Sequence, residues 1–163
     1  MLSTHGDLCS RVQSFLIEEA RLLDRNDWER WLALFTPQGT YWMPVSPDQT
    51  DPFNHVSLIY DDAILRQMRC KRFAERGEAG PLSLQPAPRC MRMITNLLVT
   101  RTSAAIRAEA NVIFAQYAPP TVSTHYARVA WEIEEHGDSY LIQHKRVDLL
   151  NSEGPLSDIL AYL

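Results

Sequence analysis

The chain has 163 residues, of which 45% are hydrophobic and 22% are charged, and its formal net charge is −4 with a sequence pI near 5.7. These values are typical of one globular domain and exclude an intrinsically disordered chain. The acidic balance argues against nucleic acid as a partner, because such a partner needs a basic surface. Apolar runs stay far below the ~20 residues that cross a bilayer, so no membrane association is expected.

The N-terminus and the cysteines indicate the compartment. No basic region followed by an apolar run opens the chain, so we expect no secretory signal. The three cysteines, Cys9, Cys70 and Cys90, are scattered along the sequence. An odd and unpaired set favours a reducing environment, in which the thiols only pack. We therefore expect a single cytoplasmic domain that covers residues 1–163.

The N-terminal part is predicted to be helical. Apolar residues at helical spacing indicate an amphipathic helix over residues 5–23, with Thr4 capping its start. Asn26 and Glu29 form a capping-box pattern, which predicts a second helix. Its apolar face is expected to consist of Trp28, Trp31, Leu32 and Phe35. The segment 36–39, with its proline and glycine, is expected to end this helix.

Two short strands and a third helix are predicted next. Residues 40–45 and 55–60 are expected to be strands joined by a loop that is rich in proline. Asp61 or Asp62 can cap a helix that runs to about residue 73. One side of this helix would carry Ile64, Leu65, Met68 and Arg72. Residues 74–89 hold several glycines and prolines, and this irregular connection is expected to cross a surface or embrace a neighbouring subunit.

After residue 90 the spacing of apolar residues changes from helical to alternating. Residues 91–99, 106–114 and 127–133 each place apolar side chains on one face of a strand. A further strand is expected over 140–150, and residues 156–163 could add a short one. Helices followed by long strands indicate an α+β fold with a mostly antiparallel sheet. A strongly curved sheet that holds the N-terminal helices is the nuclear-transport-factor-2-like, or SnoaL-like, cone.

Short motifs occur in a fixed order along nearly the whole chain. They are Glu18–Asp24, Trp28–Leu32, Tyr41–Pro44, Asp51–Pro52, Ser57–Asp62, the trio Arg89, Arg92 and Asn96, and Lys145–Asn151. In this order and spacing the sequence resembles the small (β) subunit of bacterial aromatic-ring-hydroxylating, Rieske-type dioxygenases.

The resemblance implies a structural subunit. It implies assembly with a larger α subunit as three α and three β chains, with self-association of β as a trimer, in an oxidoreductase for the dihydroxylation and catabolism of aromatic compounds. The Rieske 2Fe-2S cluster and the mononuclear Fe(II) are expected in α, with NADH supplying electrons through a reductase. No catalytic, cofactor or metal residue is expected in this chain. Candidate subunit-interface residues are Tyr41, Trp42, Asp51, Tyr60, Asp61, Arg69, Arg89, Arg92 and Asn96.

The residues agree with that division of labour. A Rieske centre needs paired cysteines and histidines, and no histidine lies two or three residues from a cysteine here. A mononuclear iron site needs two histidines and a carboxylate, whereas the histidines at positions 5, 55, 125, 136 and 144 are spread over different elements. No glycine-rich phosphate loop is present.

Other interpretations remain open. A self-contained isomerase or dehydratase could use Asp61, His125 and Tyr41 inside the cone, and a non-enzymatic module could dimerise through its sheet. Asp61 could equally be part of a helix cap, and the tryptophans of the second helix could simply fill a core. The arginines at positions 66, 69, 72 and 76 could form a solvated helix face or a stripe that binds partner carboxylates. Lys145 and Arg146 are expected to extend into solvent.

Overall fold

The secondary structure follows the predicted order of helices and strands. The computed structural model describes residues 2–75, 87–156 and 158–163. The elements are α1 (Leu2–Asp24), α2 (Trp28–Leu32), β1 (Phe35–Pro44), β2 (Ser57–Asp61), α3 (Ala63–Glu75), β3 (Arg89–Arg101), β4 (Ile106–Ala118), β5 (Thr121–His136) and β6 (Ser139–Leu149). The prediction of an α+β class is confirmed.

All six strands form one sheet in the order β2-β1-β6-β5-β4-β3. Every neighbouring pair is antiparallel except β1 and β6, which run parallel. The sheet is curved and does not close. The N-terminal β1 therefore lies between β2 and the last strand, and residues that are far apart in sequence meet across the middle of the sheet.

The core lies between α1 and one face of the sheet, which we call the inner face. Val12, Leu16 and Leu23 of α1 are fully buried and belong to the same apolar cluster as Phe114 and Trp131 of the sheet. Buried and accessible residues alternate along β4 and β5 as predicted, because a half-covered sheet buries every second side chain. The opposite, outer face keeps its side chains accessible.

The predicted helix boundaries are partly wrong. The first helix begins at Leu2 rather than at residue 5, and the side chain of Thr4, the predicted cap, lies outside the described residues. The second helix is capped by Asp27, whose carboxylate accepts a hydrogen bond from the Arg30 amide at 3.3 Å, whereas Asn26 adopts φ +57°. A left-handed residue cannot continue a helix, so Asn26 terminates the turn after α1.

The second helix is also shorter than predicted, because a strand takes over its last turn. The apolar spacing extended to Phe35, yet that residue opens β1 and pairs with Ile142 of β6. The Leu34 carbonyl accepts a hydrogen bond from the Ile142 amide at 2.7 Å. Pairing with a strand more than one hundred residues later outweighs the local helical preference of these residues.

The alternation predicted for residues 91–99 is broken at Asn96. This residue has φ +56°, and the pairing of β3 with β4 shifts register between Thr95 and Leu98. A bulge of this kind exchanges the faces of the residues on either side. Met91 and Met93 consequently point outward, whereas Val99 is buried on the inner face.

Two predicted segments need separate comment. The irregular connection over 74–89 lies largely outside the described residues, since 76–86 are not among them. The strand considered for 156–163 is absent from residues 158–163, which adopt no regular structure. Instead Ala161, Tyr162 and Leu163 are buried in the core.

Candidate functional site: a buried polar network and an outer face

The inner face carries a buried carboxylate, Glu19 of α1, which is 1% exposed. Its Oε1 accepts hydrogen bonds from Lys145 Nζ at 2.7 Å and Trp31 Nε1 at 3.2 Å, and its Oε2 accepts one from Trp131 Nε1 at 2.9 Å. Three donors from three elements satisfy one side chain. The expectation that Lys145 extends into solvent is wrong.

The Lys145 ammonium is held in an apolar environment. Burial lowers its pKa, and the Glu19 carboxylate opposes this effect. The ammonium also lies 5.8 Å from the centre of the Tyr41 ring and 5.5 Å from that of Trp131. Glu19 and Lys145 belong to two different motifs of the resemblance. The buried ion pair between them therefore explains why both motifs are needed for the fold.

A second buried carboxylate, Asp61, ends β2. It accepts hydrogen bonds from Arg69 Nε at 2.6 Å and Nη2 at 3.0 Å, and from the Tyr162 hydroxyl at 2.5 Å. Burial and the bond to Asp61 raise the pKa of Tyr162 above its ordinary range. The cap of α3 is instead Asp62, whose carboxylate accepts a hydrogen bond from the Leu65 amide at 2.9 Å.

Tyr162 fills the space between the helices and the sheet. Its ring stacks on Trp31 with centroids 4.6 Å apart and meets the edge of Tyr41 at the same distance. The Tyr41 hydroxyl accepts a hydrogen bond from the Leu163 amide at 3.2 Å, and burial raises the pKa of Tyr41. The segment 161–163 therefore occupies the interior of the cone.

Arg92 ties this segment to α1. Its guanidinium donates to Asp24 Oδ1 at 2.5 Å and to the backbone carbonyl of Tyr162, and it lies 4.4 Å from the centre of the Phe114 ring. The second Asp24 oxygen accepts a hydrogen bond from the Arg92 amide at 3.2 Å. A single arginine thus joins β3, the end of α1 and segment 161–163.

Arg66 of α3 also points inward, so neither alternative for the arginines, a solvated face or a stripe that binds a partner, holds for this residue. Its guanidinium donates to the carbonyls of Gly39 and Asp61 and lies 4.1 Å from the centre of the Phe35 ring. Burial lowers its pKa. A Cβ at Gly39 would lie 2.8 Å from the Ile142 carbonyl oxygen, so only glycine fits at this contact. Arg72 does face solvent, and Arg76 lies outside the described residues.

Little free space remains around these groups. The cavity beside Glu19, Arg92 and Lys145 has a volume of about 10 Å³, which is room for about one water molecule. His125 is buried against Phe114 and its Nε2 has no hydrogen-bond partner among the described residues, whereas Asp61 and Tyr41 contact Tyr162. The structure therefore does not gather the predicted acid–base residues around a substrate-sized cavity.

The residues next to these buried ones in the sequence lie on the outer face of the sheet. Trp42 pairs with Tyr60 on one side and with Arg146 on the other, so all three share the outer face. Tyr41 and Asp61 point inward because successive residues of a strand alternate. One motif residue in each pair thus builds the core and the next one faces out.

Arg146 fastens the proline-rich loop over 45–56 to the sheet. Its guanidinium donates to both Asp148 carboxylate oxygens at 2.8 Å and to the carbonyls of Gln49 and Pro47 at 2.8 and 3.0 Å. It also covers Trp42, with 4.5 Å to the ring centre. The expectation of a solvent-directed side chain is wrong for Arg146. In the same loop Asp51 accepts a hydrogen bond from the Phe53 amide at 2.8 Å.

Accessible apolar side chains gather towards the β3 end of the outer face. We call this set the outer apolar patch, and it consists of Met91, Met93, Val122, Tyr126 and Leu150. Arg89 lies beside it, with its guanidinium 4.9 Å from the centre of the Tyr117 ring, and Asn96 is exposed at the bulge. Apolar patches of this kind on one sheet face mark interaction sites.

The candidate interface residues therefore divide into two groups. Trp42, Tyr60, Arg89 and Asn96 lie on the outer face, and Asp51 lies in the adjoining loop. The side chains of Tyr41, Asp61 and Arg92 are used inside the chain, and Arg69 is about one-third exposed.

Sequence reasoning missed the partners that satisfy these groups. Glu19 and Asp24 were noted only as members of a motif, Lys145 was expected in solvent, and Trp131 and Tyr162 were given no polar role. The available signal was charge at positions that alternate with apolar ones: Glu19 and Asp24 flank buried leucines, and Lys145 stands two residues before Val147 and four before Leu149 on the same face of a strand. Such charges must find partners if the run is buried.

The described residues show no metal centre or membrane span. Among them no group of three or more His, Cys, Asp or Glu side chains is placed to hold a metal ion. Within the same ranges no helix is both long enough and apolar enough to cross a bilayer. Cys9, Cys70 and Cys90 are free thiols, and burial raises the pKa of Cys70 to about 12.

Comparison with known proteins identifies the family. The family model described as ring hydroxylating beta subunit matches residues 18–153. This chain belongs to that family. It is 31% identical over 147 residues to the 2-halobenzoate 1,2-dioxygenase small subunit of Burkholderia cepacia, and the match covers 86% of this chain and 87% of the relative.

Solved structures agree with this assignment. The beta subunit of benzoate 1,2-dioxygenase from Burkholderia mallei is 28% identical, with a TM-score of 0.74 over 93% of this chain and 95% of that one. A scytalone-dehydratase-like protein from Novosphingobium aromaticivorans, at 10% identity, has a TM-score of 0.62 over 91% of this chain and 88% of its own, and shows the fold alone. The predictions of a cone fold and of a ring-hydroxylating dioxygenase β subunit are both confirmed.

Proposed function

We propose that this β subunit is a non-catalytic assembly component that stabilises a trimer of larger α subunits in a three-to-three complex. The α subunits would hold the Rieske cluster and the mononuclear Fe(II), receive electrons from NADH through a reductase, and dihydroxylate aromatic compounds in the cytoplasm. Family membership supports the complex. The three free thiols fit a reducing compartment.

The observation that carries the non-catalytic role is the filled interior. Its acids and bases, Glu19, Lys145, Asp61 and Arg92, each bond to partners within the chain. A catalytic acid or base needs a substrate atom within hydrogen-bond reach. The cavity beside these groups, at about 10 Å³, has no room for an aromatic ring.

We propose that partner contact uses the outer face and its loop. Trp42, Tyr60, Arg89, Asn96 and Asp51 are accessible there, and aromatic residues and arginine are enriched in interface cores. The buried candidates Tyr41, Asp61 and Arg92 would influence binding indirectly, because they hold the strands that present the outer residues.

Co-expression with the large (α) subunit of a ring-hydroxylating dioxygenase tests the proposal. We expect a complex of equal numbers of both chains that contains iron and turns over an aromatic acid such as benzoate, and an isolated β subunit without turnover. The matched variants Arg89→Glu and Arg101→Glu compare an outer-patch arginine with an exposed one paired to Glu135. Only the first should weaken the complex.

Two results would contradict the proposal. One is turnover of the aromatic acid by the β subunit alone. The other is an active, iron-loaded large subunit of unchanged size and stability when β is omitted.

A further inference from the structure

The segment 158–163 enters the cone without joining its sheet. It follows β6 along the chain, adopts no regular structure and pairs with no strand that the structure describes. Nevertheless Ala161, Tyr162 and Leu163 are at most 2% exposed. A buried segment without strand pairing must be held by other contacts, because its backbone groups also need hydrogen-bond partners.

Side chains of the cone supply such contacts. Gln116 of β4 accepts a hydrogen bond from the Leu160 amide at 3.0 Å and donates one to the Asp158 carbonyl. The Tyr41 hydroxyl of β1 accepts a hydrogen bond from the Leu163 amide at 3.2 Å. The sheet therefore holds this segment with its side chains, in the way that a binding site holds a peptide.

Tyr162 occupies an aromatic pocket in the interior of the cone. Its ring stacks on Trp31 with centroids 4.6 Å apart, and the rings of Tyr41 and Phe73 meet it edge-on at 4.6 and 5.6 Å. Aromatic walls with a few polar groups at one end are the usual composition of a small-molecule site. Here a side chain of the same polypeptide takes the place of the small molecule.

The polar end of the pocket selects for a hydroxyl group. Asp61 accepts hydrogen bonds from Arg69 at 2.6 and 3.0 Å, and the Tyr162 hydroxyl donates to the same carboxylate at 2.5 Å. Burial and Asp61 raise the pKa of Tyr162, so its hydroxyl keeps the proton that it donates. A group at this position must therefore bring a donor. A second carboxylate would bring a like charge and no proton.

We infer that the pocket around Tyr162 is a binding site for neutral phenols, which this chain keeps occupied with its own tyrosine. The inference goes beyond the assembly role, since it concerns the interior of the cone and requires no large subunit. Aromatic acids, which carry a carboxylate in place of the hydroxyl, are excluded by Asp61. The wild-type chain should take up no external phenol. The cavity beside Leu163 is about 10 Å³, and a tethered occupant outcompetes a free one.

Replacing the tyrosine side chain by a free compound tests the inference. Tyr162→Gly removes the equivalent of 4-methylphenol, and Tyr162→Ala removes the equivalent of phenol, so each variant is titrated with its own compound. The unfolding temperature of each variant should rise with the concentration of that compound, because a ligand that binds only the folded chain stabilises it. The matched control is Tyr126→Gly, at a half-exposed tyrosine of the outer apolar patch, whose unfolding should not respond.

A series of ligands tests the chemistry of the pocket. 4-Fluorotoluene has nearly the shape of 4-methylphenol but no hydroxyl donor, and benzoate carries a carboxylate. In calorimetric titration of Tyr162→Gly, 4-methylphenol should bind ~10-fold or more tightly than 4-fluorotoluene, as for a hydrogen bond to a charged acceptor. Benzoate should not bind.

Three results would overturn the inference. The first is that neither Tyr162 variant is stabilised by its phenol, which includes the case of an unfolded variant whose phenol does not restore cooperative unfolding. The second is that 4-fluorotoluene or benzoate binds as tightly as 4-methylphenol, because Asp61 would then not select the hydroxyl. The third is equal stabilisation of Tyr126→Gly, because the compound would then act without the pocket. None of these results changes the proposed function, which co-expression tests separately.

Discussion

The two faces of the sheet differ in whether their charged side chains have partners within the chain. On the inner face Glu19, Lys145, Asp61 and Arg92 bond to partners within the chain. On the outer face arginines and large apolar side chains remain accessible, and Arg128 has no ion pair within the described ranges. The difference shows that a motif can be shared by a family for two separate reasons, internal stability and external contact. Neighbouring residues of the same motif can serve one purpose each.

The largest expected effect compares two adjacent glutamates. Glu19→Gln leaves Lys145 as a buried charge without its counter-ion, and should lower the free energy of unfolding by ~3–5 kcal/mol. Glu18→Gln removes only an exposed pair with Arg30 at 3.4 Å and should cost ~0–1 kcal/mol. Urea unfolding followed by tryptophan fluorescence measures both.

The comparison of Glu18 with Glu19 is sharp because the two variants make the same chemical change one residue apart. Equal losses for both would show that the buried pair does not stabilise the inner face. Lys145→Met, tested in the Glu19→Gln background, should restore part of the loss, because it removes the uncompensated charge.

A smaller effect is expected at Tyr162. Tyr162→Phe removes the hydrogen bond to Asp61 and should cost ~1–3 kcal/mol, as for buried bonds to a charged group. Tyr126→Phe, on the outer apolar patch, should change stability by less than ~0.5 kcal/mol. Thermal unfolding of the two variants provides the measurement. If Tyr162→Phe lost no more stability than Tyr126→Phe, the hydrogen bond to Asp61 would not stabilise the fold.

The pH dependence of stability tests His125. Burial lowers the pKa of this imidazole below its ordinary value of 6.5. As the pH falls below 6.5, the unfolded chain binds the proton before the folded chain does, so stability decreases until the pH reaches the lower, folded-state pKa. His125→Gln should flatten this part of the stability curve between pH 7 and pH 5. If the stability of His125→Gln fell as steeply with decreasing pH as that of the wild type, His125 would not be the cause of the pH dependence.

The smallest effect on folding is expected on the outer face. Met91→Ser should change the free energy of unfolding by less than ~0.5 kcal/mol, because the residue is half-exposed. The same variant should weaken binding of the large subunit, which calorimetric titration can measure. A large folding defect without a binding defect would place Met91 in the core instead.

Periodicity was sufficient to predict the fold class and much of the sheet. Alternation in β4 and β5 identified their buried faces, and the same alternation explains why Tyr41 and Trp42 point in opposite directions. These features depend on near neighbours in the sequence, so the sequence displays them directly.

Features that depend on distant partners could not be predicted. The burial of Lys145 requires Glu19, 126 residues away, and the inward turn of Arg66 requires the carbonyl of Gly39. An apolar stripe such as that of α3 ordinarily faces the core, and only the arginine contacts reverse it. The bulge at Asn96 likewise depends on pairing with β4, and it moved Met91 and Met93 to the outer face.

The unclosed sheet has a consequence for how the protein must be made. β3, with 13 residues, ends the strand order, and Asp24 accepts only one of its amides at that border. Among the described residues no strand pairs with the other edge of β3, and a long edge strand with outward methionines is a template for pairing with other chains. Molecules produced in excess of their companion are thus the ones prone to aggregate, and balanced synthesis of the two polypeptides would protect the cell from that loss.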